Sequence, residues 1–219
     1  MKKSDAINAP FQPESFEFQD QATINDIFSR YPKGQERSAM MPLLDLAQRQ
    51  VAQTGPYGDF PTGGGWIPRA AMDKIAEMVD VPKIKVYEVA TFYSMYNLEP
   101  VGKYLFQICT TTPCWLCNSD DVVKACKDKL GIGMFETTAN GYFTLMEVEC
   151  LGACTNAPMI QMNDLYYEDL DYDKTITLIE SLQKDVIPPH GPQNGRRGSM
   201  ALTGPTTLED QAKKAGVAQ

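Results

Sequence analysis

The first hundred residues carry apolar side chains at helical spacing. Ile24, Ile27, Phe28 and Tyr31 fall at i, i+3, i+4 and i+7, which predicts one face of a helix ending before Pro32. Met40, Leu43, Leu44 and Ala47 repeat the spacing in a second helix, with Ser38 as its expected N-cap and Pro42 tolerated in its first turn. A third stripe, Met72, Ile75, Ala76 and Val79, follows Pro68, and a fourth, Val86, Val89, Ala90 and Tyr93, is opened by Pro82. Four amphipathic helices predict a small bundle over residues 21–98. The aromatic group Tyr87, Phe92, Tyr93 and Tyr96 exceeds what one stripe needs, so part of it is expected at an interface. Ahead of the bundle, residues 1–20 are polar with Pro10, Pro13, Phe11, Phe16 and Phe18, and read as an extended arm lying on some other surface. The loop Thr54 to Gly65 ends in three glycines but lacks G-x-G-x-x-G after a strand, so it predicts no nucleotide site.

Asn97 to Lys103, with Pro100 and Gly102, marks a domain boundary, and strand patterns follow it. Tyr104 to Ile108 reads as a strand delivering Cys109 at its end, and Ser119-Asp120-Asp121 as the cap of a helix running to Leu130 with Gly131 as its stop. Tyr142 to Val148 is a second strand, and Met159–Met162 and Leu165–Tyr167 form a hairpin across Asn163-Asp164. Ile176, Ile179, Leu182 and Val186 predict a closing helix. This order makes the fold class α+β, a helical bundle followed by a thioredoxin-like sandwich over residues 99–187. The proline-rich remainder, 188–219, cannot build a core and reads as an extended tail, either disordered or docking on a partner surface through Arg196 and Arg197.

The chemistry lies in the cysteines. Cys109 and Cys114 form one close pair, Cys150 and Cys154 another, and four soft thiolates suit iron-sulfur clusters or zinc. Two disulfides would use the same residues. The lone histidine, His190, excludes a Rieske centre, which needs two. Cys109, Cys114 and Cys117 also read as C-x4-C-x2-C, the opening of the plant-type ferredoxin spacing, so a ligand set including Cys117 stays open. The second loop favours the paired set, because Gly152 and Ala153 are small enough for backbone N–H groups to approach sulfide. Cys126 lies at helical spacing with Val122 and Leu130 and reads as a buried core thiol. Cys114-Trp115-Leu116-Cys117 is literally C-x-x-C, but its first cysteine is better used on metal than in thiol exchange.

The runs Cys109-Thr-Thr-Thr-Pro-Cys114, Glu147-Val-Glu-Cys-Leu-Gly-Ala-Cys-Thr-Asn-Ala-Pro158 and Tyr166-Tyr-Glu-Asp-Leu170 resemble the 24-kDa subunit family of respiratory complex I, the proton-pumping NADH:ubiquinone oxidoreductase. Arg30-Tyr31-Pro32, Gly65-Trp66-Ile67-Pro68 and Val86-Tyr-Glu-Val-Ala-Thr-Phe-Tyr-Ser-Met-Tyr96 carry the resemblance upstream. It implies one 2Fe-2S cluster held by Cys109, Cys114, Cys150 and Cys154 in a thioredoxin-like fold, with no catalytic residue. The implied role is one-electron transfer in the NADH-oxidising module, beside a 51-kDa subunit that binds flavin and NADH and a 75-kDa iron-sulfur subunit. This chain is then expected to bind neither NAD nor FMN. The implied location is the matrix side of the mitochondrial inner membrane, with bacterial cytoplasm as the alternative. Trp115 and Cys117 depart from the family's pattern.

Composition narrows the field further. The 219 residues are 43% hydrophobic, without a run near the roughly 18 apolar residues of a membrane span. A net charge of -8 argues against nucleic-acid binding. Met1 to Pro13 lacks the apolar core of a secretory signal and the arginines of a mitochondrial presequence, which fits the mature end of a processed chain and predicts a reducing compartment. In such a compartment six cysteines are more often ligands and core thiols than bridges. With Glu147 and Glu149 nearby, a cluster here is expected to have a low potential. The alternatives are the equivalent subunit of an NAD-linked hydrogenase or formate dehydrogenase, a zinc-stapled interaction domain, and a free ferredoxin.

Overall fold

Gln21–Ser29 forms the first helix, α1, buried along Ile24 and Ile27. Its start is capped by the Asp20 carboxylate, which accepts from the Thr23 N–H at 2.9 Å and satisfies a donor of the open first turn. The computed structural model describes residue 9 and residues 11–56, 63–204 and 207–216. The readings of residues 1–8, Pro10, positions 57–62 of the glycine-rich loop and Pro205 fall outside these.

The second helix does not use the expected cap. Glu36–Ala39 is a 3-10 turn and α2 runs Met40–Thr54, so Ser38 lies inside the turn. The turn's Arg37 carbonyl accepts the Met40 N–H, doing with backbone what the Ser38 hydroxyl was expected to do. α3 (Arg69–Met78) and α4 (Lys83–Phe92) follow Pro68 and Pro82, whose φ angles of -63° and -57° lead into a helix without strain. Leu43, Leu44, Met72, Ile75, Val86 and Ala90 meet in one core, as the stripes predict. Phe16 and Phe18 pack on it. The Glu17 carbonyl accepts from the Gln50 side chain at 2.8 Å, so the surface under residues 11–20 is the bundle itself.

The aromatic group splits. Tyr96 is buried, its hydroxyl donates to the Met41 carbonyl at 3.0 Å, and burial pushes its pKa up to about 12. Phe92 is 80% exposed.

Two compact units divide the chain, residues 1–105 with 137–144, and residues 106–136 with 145–219. Gly102 belongs to the first, where a Cβ would lie 2.8 Å from the Gly141 carbonyl oxygen, closer than a side chain can approach.

The sheet comprises β1 (Tyr104–Cys109), β2 (Phe143–Val148), β3 (Ile160–Met162), β4 (Leu165–Glu168) and β5 (Gly191–Pro192), in the order β2-β1-β3-β4-β5. β3 runs antiparallel to β1 and to β4, and β5 parallel to β4. Register places Phe106, Ile108, Ile160, Met162 and Tyr167 on one buried face. Gln107, Gln161 and Tyr166 alternate onto the other, which is also the face of Cys109.

Between β1 and β2 lie α5 (Thr112–Leu116), which no periodicity announced, and α6 (Ser119–Leu130). Asn118, not Ser119, is the residue before α6; it takes a left-handed φ of 66°, and the Ser119 hydroxyl inside the helix is buried without a hydrogen-bond partner. Gly131 ends α6 at φ 68°, as expected for a C-terminal glycine. α7 (Tyr172–Leu182) packs beside α6, with Tyr172 donating to Asp128 at 3.0 Å and Lys129 pairing with Glu180 at 2.6 Å. Its buried face is Thr175, Leu178, Ile179 and Leu182; Val186 lies beyond the helix end and is exposed, so the predicted stripe runs one turn too far.

The tail also differs from expectation. Gly191–Pro192 enters the sheet as β5, and Glu209–Lys214 forms a short helix, α8. Arg196 pairs with this chain's own Asp169 and donates to the Thr155 carbonyl at 3.3 Å, instead of reserving its charge for a partner.

Candidate metal centre

Three consecutive threonines turn the chain from β1 into α5. Cys109 ends the strand, Thr111 is the residue before the helix, and Pro113 stands in its first turn, which delivers Cys114 one turn into α5. The Thr111 hydroxyl does not cap the helix; it sits 3.3 Å from the Cys109 sulfur. Both cysteines are buried and share a small apolar cluster with Met159, lined by Leu151, Ala153, Ala157 and Tyr166.

The second pair is exposed. Gly152 adopts φ +88°, a conformation that L side chains rarely take, and so lets the loop fold back between Cys150 and Cys154. Cys154 opens a 3-10 turn, Cys154–Asn156. The Cys150 and Cys154 sulfurs are 3.4 Å apart.

The four thiols act on one another. Burial raises Cys109, but the hydroxyl and N–H of Thr111, the Cys114 thiol and the Leu151 N–H outweigh it and leave the group below the ordinary thiol value. Cys114 is pushed up to about 12, first by burial and then by Cys109, with the Met159 N–H acting against the rise. Cys154 is raised chiefly by its hydrogen bond with Cys150, and it also feels Cys109. Low and high thiol values side by side are what one site with room for few negative charges produces. Metal loading must therefore expel protons from the raised thiols.

This donor set fits a binuclear group. The Cys150 and Cys154 sulfurs are neighbours, and Cys109 and Cys114 interact with one another, so these four soft donors would suit the two irons of a 2Fe-2S group. N–H groups of Thr111, Leu151 and Met159 already face the sulfurs of Cys109 and Cys114.

Of the other thiols, Cys117 is exposed at the end of α5, its N–H donating to the Cys114 carbonyl at 3.1 Å. Cys126 is buried in α6 and pushed up to about 12 by burial, the core thiol expected. His190 is exposed.

A model of the thioredoxin-like 2Fe-2S ferredoxin family matches residues 24–183. The chain belongs to that family. Within it, the E subunit of NADH-quinone oxidoreductase from Rickettsia bellii is 50% identical over 179 residues, 82% of this chain and 100% of the relative. NADH dehydrogenase (ubiquinone) flavoprotein 2, mitochondrial, of Dictyostelium discoideum is 43% identical over 201 residues, 92% of this chain and 76% of the relative. In fold the chain is also similar to part of an NAD+-reducing NiFe-hydrogenase in the H2-reduced state, at TM-score 0.55 and 16% identity, over 67% of this chain and 22% of that one. A 2Fe-2S cluster is the family's cofactor by its description.

Sequence reasoning identified the cysteine pairs and the approach of N–H groups in the second loop. It missed the Met159 N–H, the Thr111 hydroxyl, and two contacts that brace the loops. Thr110 donates to Glu147 at 2.7 Å, and Tyr166 donates to the Leu151 carbonyl at 2.9 Å. Thr110, Thr111, Glu147, Leu151 and Tyr166 all stand inside the runs that carry the family resemblance, and that was the available signal; Met159 lies just past the end of one of them.

Proposed function

We propose that this chain is the electron-transfer subunit of the NADH-oxidising module of NADH-quinone oxidoreductase, holding one 2Fe-2S cluster on Cys109, Cys114, Cys150 and Cys154. The carrying observation is the pair-and-pair thiol arrangement in a chain half identical to a Rickettsia NADH-quinone oxidoreductase subunit along that relative's whole length. The cluster supplies the acceptance and release of one electron at a time. Around it, Cys109 and Cys114 form a buried wall that keeps water off one side, while Cys150 and Cys154 present an exposed edge. The N–H groups of Thr111, Leu151 and Met159 stabilise negative charge on the sulfurs.

In this reading the chain works beside a flavin- and NADH-binding 51-kDa subunit and a 75-kDa iron-sulfur subunit, and binds no nucleotide itself. It is a peripheral subunit on the matrix or cytoplasmic side; no helix of the described residues is long and apolar enough to cross a membrane. Residues 21–98 serve as a packing domain and 99–187 as the cluster domain.

Visible absorption and low-temperature EPR of anaerobically purified protein, before and after dithionite, test the reading. A brown protein whose reduced 2Fe-2S signal survives Cys117→Ser and disappears in Cys150→Ser is expected. Colourless protein with stoichiometric zinc, or loss of the signal in Cys117→Ser, overturns the function or the ligand set respectively.

A further inference from the structure

Tyr166 links the sheet to the second cysteine loop. Its register partner is Gln161, which in turn pairs with Gln107, so strand alternation puts Tyr166 on the sheet face of Cys109. The ring packs against the cluster of Cys109, Cys114 and Met159. The hydroxyl reaches past that apolar contact and donates to the Leu151 carbonyl at 2.9 Å. Leu151 directly follows Cys150, and its own N–H is directed at the Cys109 sulfur. One residue is therefore held at its carbonyl by the sheet and at its N–H by a sulfur of the opposite loop.

We infer that Tyr166 is a positioning residue for the metal centre, its hydroxyl holding Leu151 so that the Leu151 N–H stays on the Cys109 sulfur. The inference rests on the ligand set proposed above. Such an N–H stabilises the more negative state of the centre, and a loosened one makes reduction harder. The apolar ring and the hydroxyl thus have separable effects: packing holds the loop near, and the hydrogen bond sets the potential.

Tyr167 supplies the control. It lies on the opposite face, fully buried, with its hydroxyl on the Pro188 carbonyl at 3.0 Å. The full chain is purified anaerobically with its cluster as wild type, Tyr166→Phe and Tyr167→Phe, and each is followed by EPR during a redox titration. Tyr166→Phe is expected to load fully and to shift the oxidised-to-reduced ratio at a given potential threefold to tenfold toward oxidised. At about 59 mV per tenfold for one electron that is roughly 28 to 59 mV more negative, with altered g values. Tyr167→Phe is expected to leave both unchanged. A wild-type midpoint in Tyr166→Phe, an equal shift in both variants, or a Tyr166→Phe chain that fails to fold overturns the inference. A wild-type protein without a 2Fe-2S signal counts against the ligand set instead.

Discussion

The Thr110 hydroxyl donates to the Glu147 carboxylate at 2.7 Å, joining the first cysteine loop to the strand that leads into the second. Thr110 follows Cys109 directly, and Glu147 stands three residues before Cys150. Removing the carboxylate charge makes an added electron less unfavourable, so Glu147→Gln raises the midpoint of the loaded protein. The contact is exposed, and salt screens it over about 8 Å at physiological ionic strength. Redox titrations at low and high salt are therefore expected to differ more in the wild type than in Glu147→Gln.

Arg196 and Asp169 form a mostly buried pair, their side chains 16% and 6% exposed. Asp169 Oδ2 and Arg196 Nε have no other partner, so the pair's two direct charges depend on each other. Arg196→Met leaves an uncompensated buried carboxylate and is expected to cost about 3 kcal/mol. It also releases the Thr155 carbonyl, next to Cys154. Urea unfolding of the variant measures the cost, and faster cluster loss to a chelator reports the loosened loop.

Asp171 caps α7 by accepting from the Lys174 N–H at 2.8 Å. Burial works to raise this carboxyl, but the Lys174 hydrogen bonds outweigh it and lower the pKa below 3.8. Stability from the cap is thus present above pH 3.8 and lost as pH falls through the lower folded value. Asp171→Ala is expected to cost about 1 kcal/mol at neutral pH, and the gap to wild type closes in acid unfolding series.

Cys126 behaves in the opposite direction. Burial raises its thiol from 9.0 to about 12, so its contribution is complete below pH 9 and declines as pH climbs through about 12. The slope contributed is at most about 1.4 kcal/mol per pH unit. Thermal unfolding of cluster-free protein between pH 8 and pH 10.5 is expected to show a steeper loss in wild type than in Cys126→Ala. Alkylation at pH 8 followed by mass spectrometry adds a second readout, in which exposed Cys117 and Cys150 react first and Cys126 last.

The four bundle helices were legible because burial of one face imposes a 3.6-residue period, which Leu43, Leu44, Met72 and Val86 obey. β1 and the hairpin of β3 and β4 were legible from apolar runs bounded by turn residues. α5 was not, since five residues around Pro113, with Trp115 and Leu116 exposed, hold no repeat to detect. β5 escaped for a related reason: two residues, one a proline, join the sheet because β4 offers an edge. Ser38 and Ser119 misled as caps because a preceding 3-10 turn and a left-handed Asn118 shifted the helix starts.

By itself the sequence determined the donor chemistry: four thiols in two close pairs, threonines and small residues beside them, and no second histidine to allow another centre. It also determined the helical faces, since periodicity is a local property of the chain. Only the tertiary structure decided that Met159 faces Cys114, that Tyr166 holds Leu151, and that Arg196 belongs to Asp169. These contacts join residues 15 to 45 positions apart. A pattern states which face is buried, whereas a hydrogen bond needs its partner within a few tenths of an ångström, and long-range packing alone sets that distance.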